Sequence, residues 1–180
     1  MTRRTITLPN GTLEQLRSHL LPTGALCEEA AFLFTRAERF STGLTLSVVE
    51  HLLIPPDSFV SRSRFYLELK DECRALVIKR AHDCGTGLIE CHSHPGQYGA
   101  CFSWSDLHGF DEFVPHVQWR LPGRPYAAIV FAADSIDAVC WTHPRADPLR
   151  VDVIHADGED VPPTQFTFAN WNDIYERSPI

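Results

Sequence analysis

The sequence predicts one α/β domain of α+β type, a central mixed β-sheet with helices packed against it. Three observations predict it. Apolar runs of strand length alternate along the chain with three stretches at helical spacing. Hydrophobic residues make up 44% and charged residues 22%, ordinary globular usage that excludes a disordered chain and a coiled coil. No repeat, low-complexity tract or linker divides the 180 residues, a length that fits one domain.

The elements follow in order. Leu13, Leu16 and Leu20 recur at helical spacing after Thr12; Thr12-x-x-Gln15 reads as a capping box, and Pro22 and Gly24 close the helix. Residues 27–36 form a compact apolar run, a strand entered through Glu28 and Glu29. Residues 44–54, rich in Val, Leu and Thr, read as a second strand broken by Pro55-Pro56-Asp57. Residues 65–69 alternate and read as a third. Asp71–Asp83 carries Cys73, Leu76, Val77 and Ala81, the buried face of a helix that Gly85 and Gly87 end. Residues 88–94 read as a short strand, followed by a polar, Gly-rich, flexible loop over 95–101. Ser103 starts a helix that Pro115 stops. Residues 126–132 and 136–141 are strands around the turn Asp134-Ser135. Residues 149–155 add a last strand before Asp157-Gly158.

Charge narrows the partners. Sixteen Lys and Arg against 23 Asp and Glu give a net charge of −7, which disfavours tracking a phosphate backbone. No nucleic-acid partner is expected. The N-terminus lacks an apolar run behind its arginines, and no stretch approaches the roughly 20 apolar residues of a membrane span. A cytoplasmic protein is expected, with its six cysteines (27, 73, 84, 91, 101 and 140) as thiols.

The chemistry concentrates between Glu90 and Asp106. His92 and His94 are two apart, so on a strand both imidazoles point to one face. Two such groups can share a divalent metal, and imidazole suits zinc. Pro95 and Gly96 turn the chain away. Asp106 returns on the first turn of the next helix, where its carboxylate is a candidate third ligand. Three protein ligands leave a position for water, the pattern of a catalytic zinc. Each part has a plainer reading: His-x-His occurs on ordinary strands, and Ser103-x-x-Asp106 can be a helix cap alone. The combination favours one bound Zn2+.

His92-Ser93-His94-Pro95 followed by Ser103-x-x-Asp106 resembles the signature of the JAMM metalloproteases, the MPN-plus or JAB domain family. Eight residues separate His94 from Ser103, one more than the family usually has. The resemblance covers about residues 13–141 of a single domain 1–180, leaving a C-terminal strand and tail over 142–180. It implies an MPN/JAB-like fold and a zinc-dependent isopeptidase or peptidase acting after the C-terminus of a ubiquitin-like protein. By analogy with bacterial relatives, conjugation enzymes are possible associates. It also implies a glutamate general base leading into an apolar strand. Small residues follow that acid in the family, which favours Glu29, before Ala30-Ala31, over Glu28, expected to be a solvated charge. Ser103 is the expected oxyanion donor.

Two rivals use other features. His82-Asp83-Cys84-Gly85 echoes a cysteine-peptidase element with Cys84 as nucleophile, although such a cysteine opens a helix rather than following one. Many MPN domains are scaffolds without catalysis, and residues 110–125, with Phe113, Val114, Trp119 and Leu121, can form a partner surface or an amphipathic packing helix. Cys91 should point away from the histidines, Cys101 is a possible adventitious ligand, and His108 lies off the ligand face.

Overall fold

The computed structural model describes residues 3–143 and 147–170, so parts of the expected tail, 144–146 and 171–180, lie outside the described residues. In chain order the elements are β1 (Arg3–Thr7), α1 (Thr12–Leu20), β2 (Ala30–Phe40), β3 (Gly43–Leu53), β4 (Phe59–Arg62), β5 (Leu67–Leu69), α2 (Asp71–Asp83) and β6 (Gly87–Ser93). Then come α3 (Trp104–Arg120), β7 (Tyr126–Phe131), β8 (Ile136–Trp141), β9 (Leu149–Arg150), β10 (Val153–Ala156), β11 (Glu159–Val161) and α4 (Phe166–Ala169). This is a mixed α/β fold: a nine-stranded sheet in the order β11-β10-β1-β3-β2-β6-β7-β8-β9, plus the separate β4–β5 pair.

The sheet is strongly curled. β9 and β10 lie toward opposite ends of the strand order, yet only Val151 and Asp152 separate them in sequence. The Val151 N–H donates to Ala138 on β8, and the Asp152 N–H donates to Arg4 on β1. Residues 149–155 are therefore two strands rather than the single one expected.

Residues Ala30–Thr35 of β2 and the strands β6, β7 and β8 are buried on both faces, which is why they read as near-continuous apolar runs. On one face Phe32, Phe34, Leu88 and Tyr126 pack with Val77 of α2 and Phe110, Val114 and Val117 of α3. On the other, Leu33, Ile89 and Ile129 pack with Leu16 and Leu20 of α1. Each such side chain contributes roughly 1.5–3 kcal/mol on burial.

Several expectations are corrected. Thr12 is the first helical residue rather than the cap; Gly11 caps α1 in the left-handed region, with no side-chain bond. Pro115 does not stop α3, which runs on to Arg120. Pro115 and Asp111, whose carbonyl loses its helical partner, are both exposed, so water can serve that carbonyl while Val117, Gln118 and Leu121 remain buried. β2 starts at Ala30 rather than at residue 27, and β5 is shorter than expected. β1 and β4 were not anticipated. No helix among the described residues is long and apolar enough to cross a membrane.

Candidate metal centre

The cluster forms where three elements converge. His92 is the last residue but one of β6, and the His94 N–H donates to the Phe131 carbonyl at 2.8 Å, holding the residue beyond β6 in line with the sheet. Asp106 arrives on the first turn of α3. Ser103 caps that helix: its hydroxyl accepts from the Asp106 N–H at 3.2 Å, and Asp106 Oδ2 accepts from the Ser103 N–H at 2.6 Å. The capping box is thus formed by the same residues that the ligand reading uses. The cap fixes the carboxylate so that it faces the histidines.

The donor atoms converge. His92 Nε2 lies 3.3 Å from His94 Nε2 and 3.4 Å from Asp106 Oδ1, and His94 Nε2 lies 3.3 Å from Asp106 Oδ2. His92 and His94 are buried, and Asp106 is partly buried. Three electron-pair donors facing one another out of water require a proton or a cation between them. This cluster can hold a metal ion. Ligands bound to a tetrahedral zinc at about 2.0–2.1 Å lie about 3.3 Å apart, so the donor set fits such an ion. In the metal-free protein, burial pulls the His92 pKa down, but Asp106, with help from Glu90 and Glu28, holds it up at about 9. Burial pushes Asp106 up, and the two histidines overcome that and hold it well below the usual carboxylate range.

The structure corrects the choice between the two glutamates. The β2–β6 register pairs Ala30 with His92, and the Ser93 N–H donates to the Glu29 carbonyl, so Glu28 shares the cluster's face. Glu28 is 3% exposed, and its Oε1 is 3.8 Å from His94 Nε2. Burial pushes its carboxyl up to about 7 against the pull of His92. Glu29 instead pairs with Arg62 of β4. The small residues that favoured Glu29 do not set its face, and over Ala30–Thr35 both faces of β2 are buried: Ala31-x-Leu33 is as apolar as Ala30-x-Phe32, so alternation could not tell which glutamate faces which side. The Glu28 N–H donates to the Ser63 carbonyl at 2.7 Å, tying it to the β4–β5 hairpin.

Ser103 lines a cavity of about 350 Å³ with Glu28, His94 and Arg64. Its hydroxyl donates to Asp106 Oδ2 at 2.7 Å. Cys91 is buried on the opposite face of β6, as expected. Cys101 accepts from the Gln97 amide at 3.5 Å and is outside the cluster. His108 stacks on Trp104 rather than joining the ligands. Cys84 is an exposed thiol at the C-terminal cap of α2, the wrong helix end for an activated nucleophile. Within 110–125, Phe113, Val114 and Leu121 pack on the sheet side while Trp119 is exposed.

No protein-family model matches this chain, and no curated protein matches it.

Proposed function

We propose that this protein is a zinc-dependent metallopeptidase that hydrolyses the amide bond after the C-terminus of a ubiquitin-like protein, freeing it from a target amine or from a C-terminal extension. One observation carries the hydrolase reading: His92, His94 and Asp106 converge with 3.3–3.4 Å between donor atoms, with the buried Glu28 carboxylate against His94. A purely structural site would gain nothing from a second buried acid beside the ligands.

His92, His94 and Asp106 would hold the metal, and Ser103 would keep Asp106 in its orientation through the capping box. When bound, zinc supplies a Lewis acid that polarises a carbonyl and makes water a nucleophile near neutral pH. Glu28 takes the proton from the attacking water and passes it to the leaving amine. The Ser103 hydroxyl turns from Asp106 to donate to the oxyanion that develops on the scissile carbonyl. The walls of the site exclude bulk water from Glu28, which keeps it an effective base close to neutrality.

The substrate class rests on the JAMM resemblance and on the shape beside the cluster. Among the described residues β5 pairs only with β4, and its Leu67 and Leu69 line, with residues of α3, a cavity that also touches His92 and Asp106. An extended tail can add to that free edge as a strand. Binding energy then comes from a folded body remote from the chemistry. All six cysteines are free thiols, which supports a cytoplasmic setting.

The test uses a ubiquitin-like protein fused to a reporter, incubated with zinc-loaded wild type, His92→Ala and Cys84→Ala. Cleavage at the end of the ubiquitin-like tail by wild type and Cys84→Ala, but not by His92→Ala or under strong chelation, is the expected result. Activity that survives chelation and disappears with Cys84→Ala would overturn the metal reading. A zinc-loaded wild type inert towards every such fusion would leave the scaffold reading in its place.

A further inference from the structure

β6 is buried at six of its seven positions; the partly open one is Glu90. Alternation puts Glu90 on the face of His92 and His94. Its sheet neighbours are Phe32 on β2 and Ala128 on β7, and the short Ala128 side chain leaves room beside it. Tyr126, fully buried, donates its hydroxyl to Glu90 Oε2 at 2.8 Å. Among the described residues no ion pair engages this carboxylate.

A cavity of about 110 Å³ opens over Glu90, walled by Phe110 and Phe113 of α3 and by Leu67 of β5, and it shares His92 and Asp106 with the metal centre. Glu90 is not in the ligand set, and nothing in the proposed hydrolysis uses it. A carboxylate at the base of an apolar slot is costly to maintain unless something donates to it. Tyr126 satisfies one oxygen; the second is left for a ligand.

The geometry points to this cavity as a side-chain subsite for an aliphatic stem ending in an N–H donor, the chemistry of lysine or glutamine, with Glu90 as the selecting acceptor. Size sets the stem. An apolar cavity of about 150 Å³ holds benzene, so about 110 Å³ takes four or five non-hydrogen atoms. That accommodates the end of a lysine or glutamine and crowds out arginine and aromatic groups. Arg74 lines the same cavity, its guanidinium 5.4 Å from the centroid of Phe113, and offers a donor to any carbonyl that accompanies the N–H. An amide end group therefore finds a matched partner in each residue, an ammonium gains Glu90 but faces the like charge of Arg74, and a carboxylate end group is repelled by Glu90 at the base. The proposal rests on the hydrolase reading only in treating the ligand as a substrate side chain beside the scissile amide.

Two measurements test it. The first titrates 15N-labelled, zinc-loaded protein with n-butylammonium, butyramide and butyrate, and follows the backbone amides of Glu90, Tyr126 and Gly109. Saturable shifts from n-butylammonium or butyramide, and none from butyrate, are expected. Glu90→Gln should weaken n-butylammonium at least tenfold, and Glu90→Leu should remove both ligands, with an otherwise preserved spectrum reporting an intact fold. Equal shifts from butyrate, no saturable shift from either donor, or binding unchanged in both variants would overturn the subsite. The second measurement compares cleavage of peptides carrying lysine, glutamine, norleucine or glutamate on either side of the cut. Preference for the end group that binds, lost in Glu90→Leu, joins the subsite to the reaction. A positive titration with no peptide or fusion cleaved removes the hydrolase reading and leaves the subsite standing.

Discussion

Exchange of each neighbouring glutamate for glutamine, one at a time, separates the proposed base from its neighbour. Glu28→Gln preserves shape and removes the proton acceptor 3.8 Å from His94. Loss of a positioned general base costs about 10²–10⁴ in rate, or roughly 3–5 kcal/mol of barrier. The same variant should gain stability in the metal-free protein. Burial raises the Glu28 pKa from 4.5 to about 7, so the folded state holds this proton more tightly than the unfolded state does. The stability contributed by Glu28 is therefore present below about pH 4.5 and is lost as pH rises through about 7. At pH 8 the wild type carries that penalty and Glu28→Gln does not, a difference of roughly 3 kcal/mol; at pH 4 the two should converge. Glu29→Gln breaks the ion pair with Arg62, whose partners are 17% and 25% exposed. It should cost about 1–2 kcal/mol of stability and leave turnover within about threefold. Denaturant melts at pH 4 and pH 8, zinc content and cleavage of a ubiquitin-like fusion read all four quantities. A Glu28→Gln variant that retains zinc and most turnover, beside a dead Glu29→Gln, would refute the reasoning from register.

Metal analysis of purified protein should find about one zinc per wild-type chain and much less in His94→Ala; equal contents would remove His94 from the ligand set. Because Asp106 holds His92 up at about 9 in the metal-free protein, zinc must displace a proton at neutral pH, and affinity should rise with pH until about 9. Calorimetry in buffers of different ionisation enthalpy should show that release, and a pH-independent affinity between 6 and 9 would contradict it. Thr167→Val leaves the buried Phe102 N–H, now 3.0 Å from the Thr167 hydroxyl, without an acceptor. It should cost about 1–3 kcal/mol in denaturant unfolding, and an unchanged midpoint would show that the loop does not need this anchor.

Local rules made the candidate metal cluster legible. The two-residue spacing of His92 and His94 and the Ser103–Asp106 cap are each fixed within a few residues, so their geometry follows from sequence alone. α2 was readable at both ends for the same reason: Asp71 and Glu72 suit a helix start, and Gly85 in the left-handed region follows its end. What stayed hidden depends on distant partners. In β1, with its two arginines, only Ile6 is buried; it is a strand because β3 and β10, remote in the chain, pair with it on either side. Residues 149–155 alternate like one strand, and only the curl of the sheet reveals that the chain passes from one end to the other at Val151. Pro115 carries a strong stop signal that tertiary burial of the following turn overrides.

The loop between the histidines and the capping serine is held at fixed points along its length. A polar stretch with glycines at 96 and 99 reads as flexible, yet the structure anchors it from the turn between β7 and β8 and from α4. Gln97 accepts from the Ala133 N–H at 3.0 Å, the Gly99 N–H donates to Asp134 at 2.9 Å, and the Ala100 N–H donates to Ser135 at 2.8 Å. The Phe102 N–H donates to Thr167, whose own hydroxyl donates to the fully buried Asp137. Asp137 also accepts the backbone N–H groups of Gln165 and Thr167, so one carboxylate on β8 fixes α4, and α4 fixes the end of the loop. Phe102 in turn sets its ring edge-on to His92 with centroids 5.7 Å apart. Gly96 adopts a positive φ under the Arg64 side chain, where a Cβ would collide with the guanidinium. The loop's length is thus absorbed between fixed points rather than passed to the ligands. Asp106 keeps its place because Ser103 begins the helix next to an anchored residue. The tightness of the donor triangle is a property of residues 133–137 and 164–167 as much as of the histidines themselves.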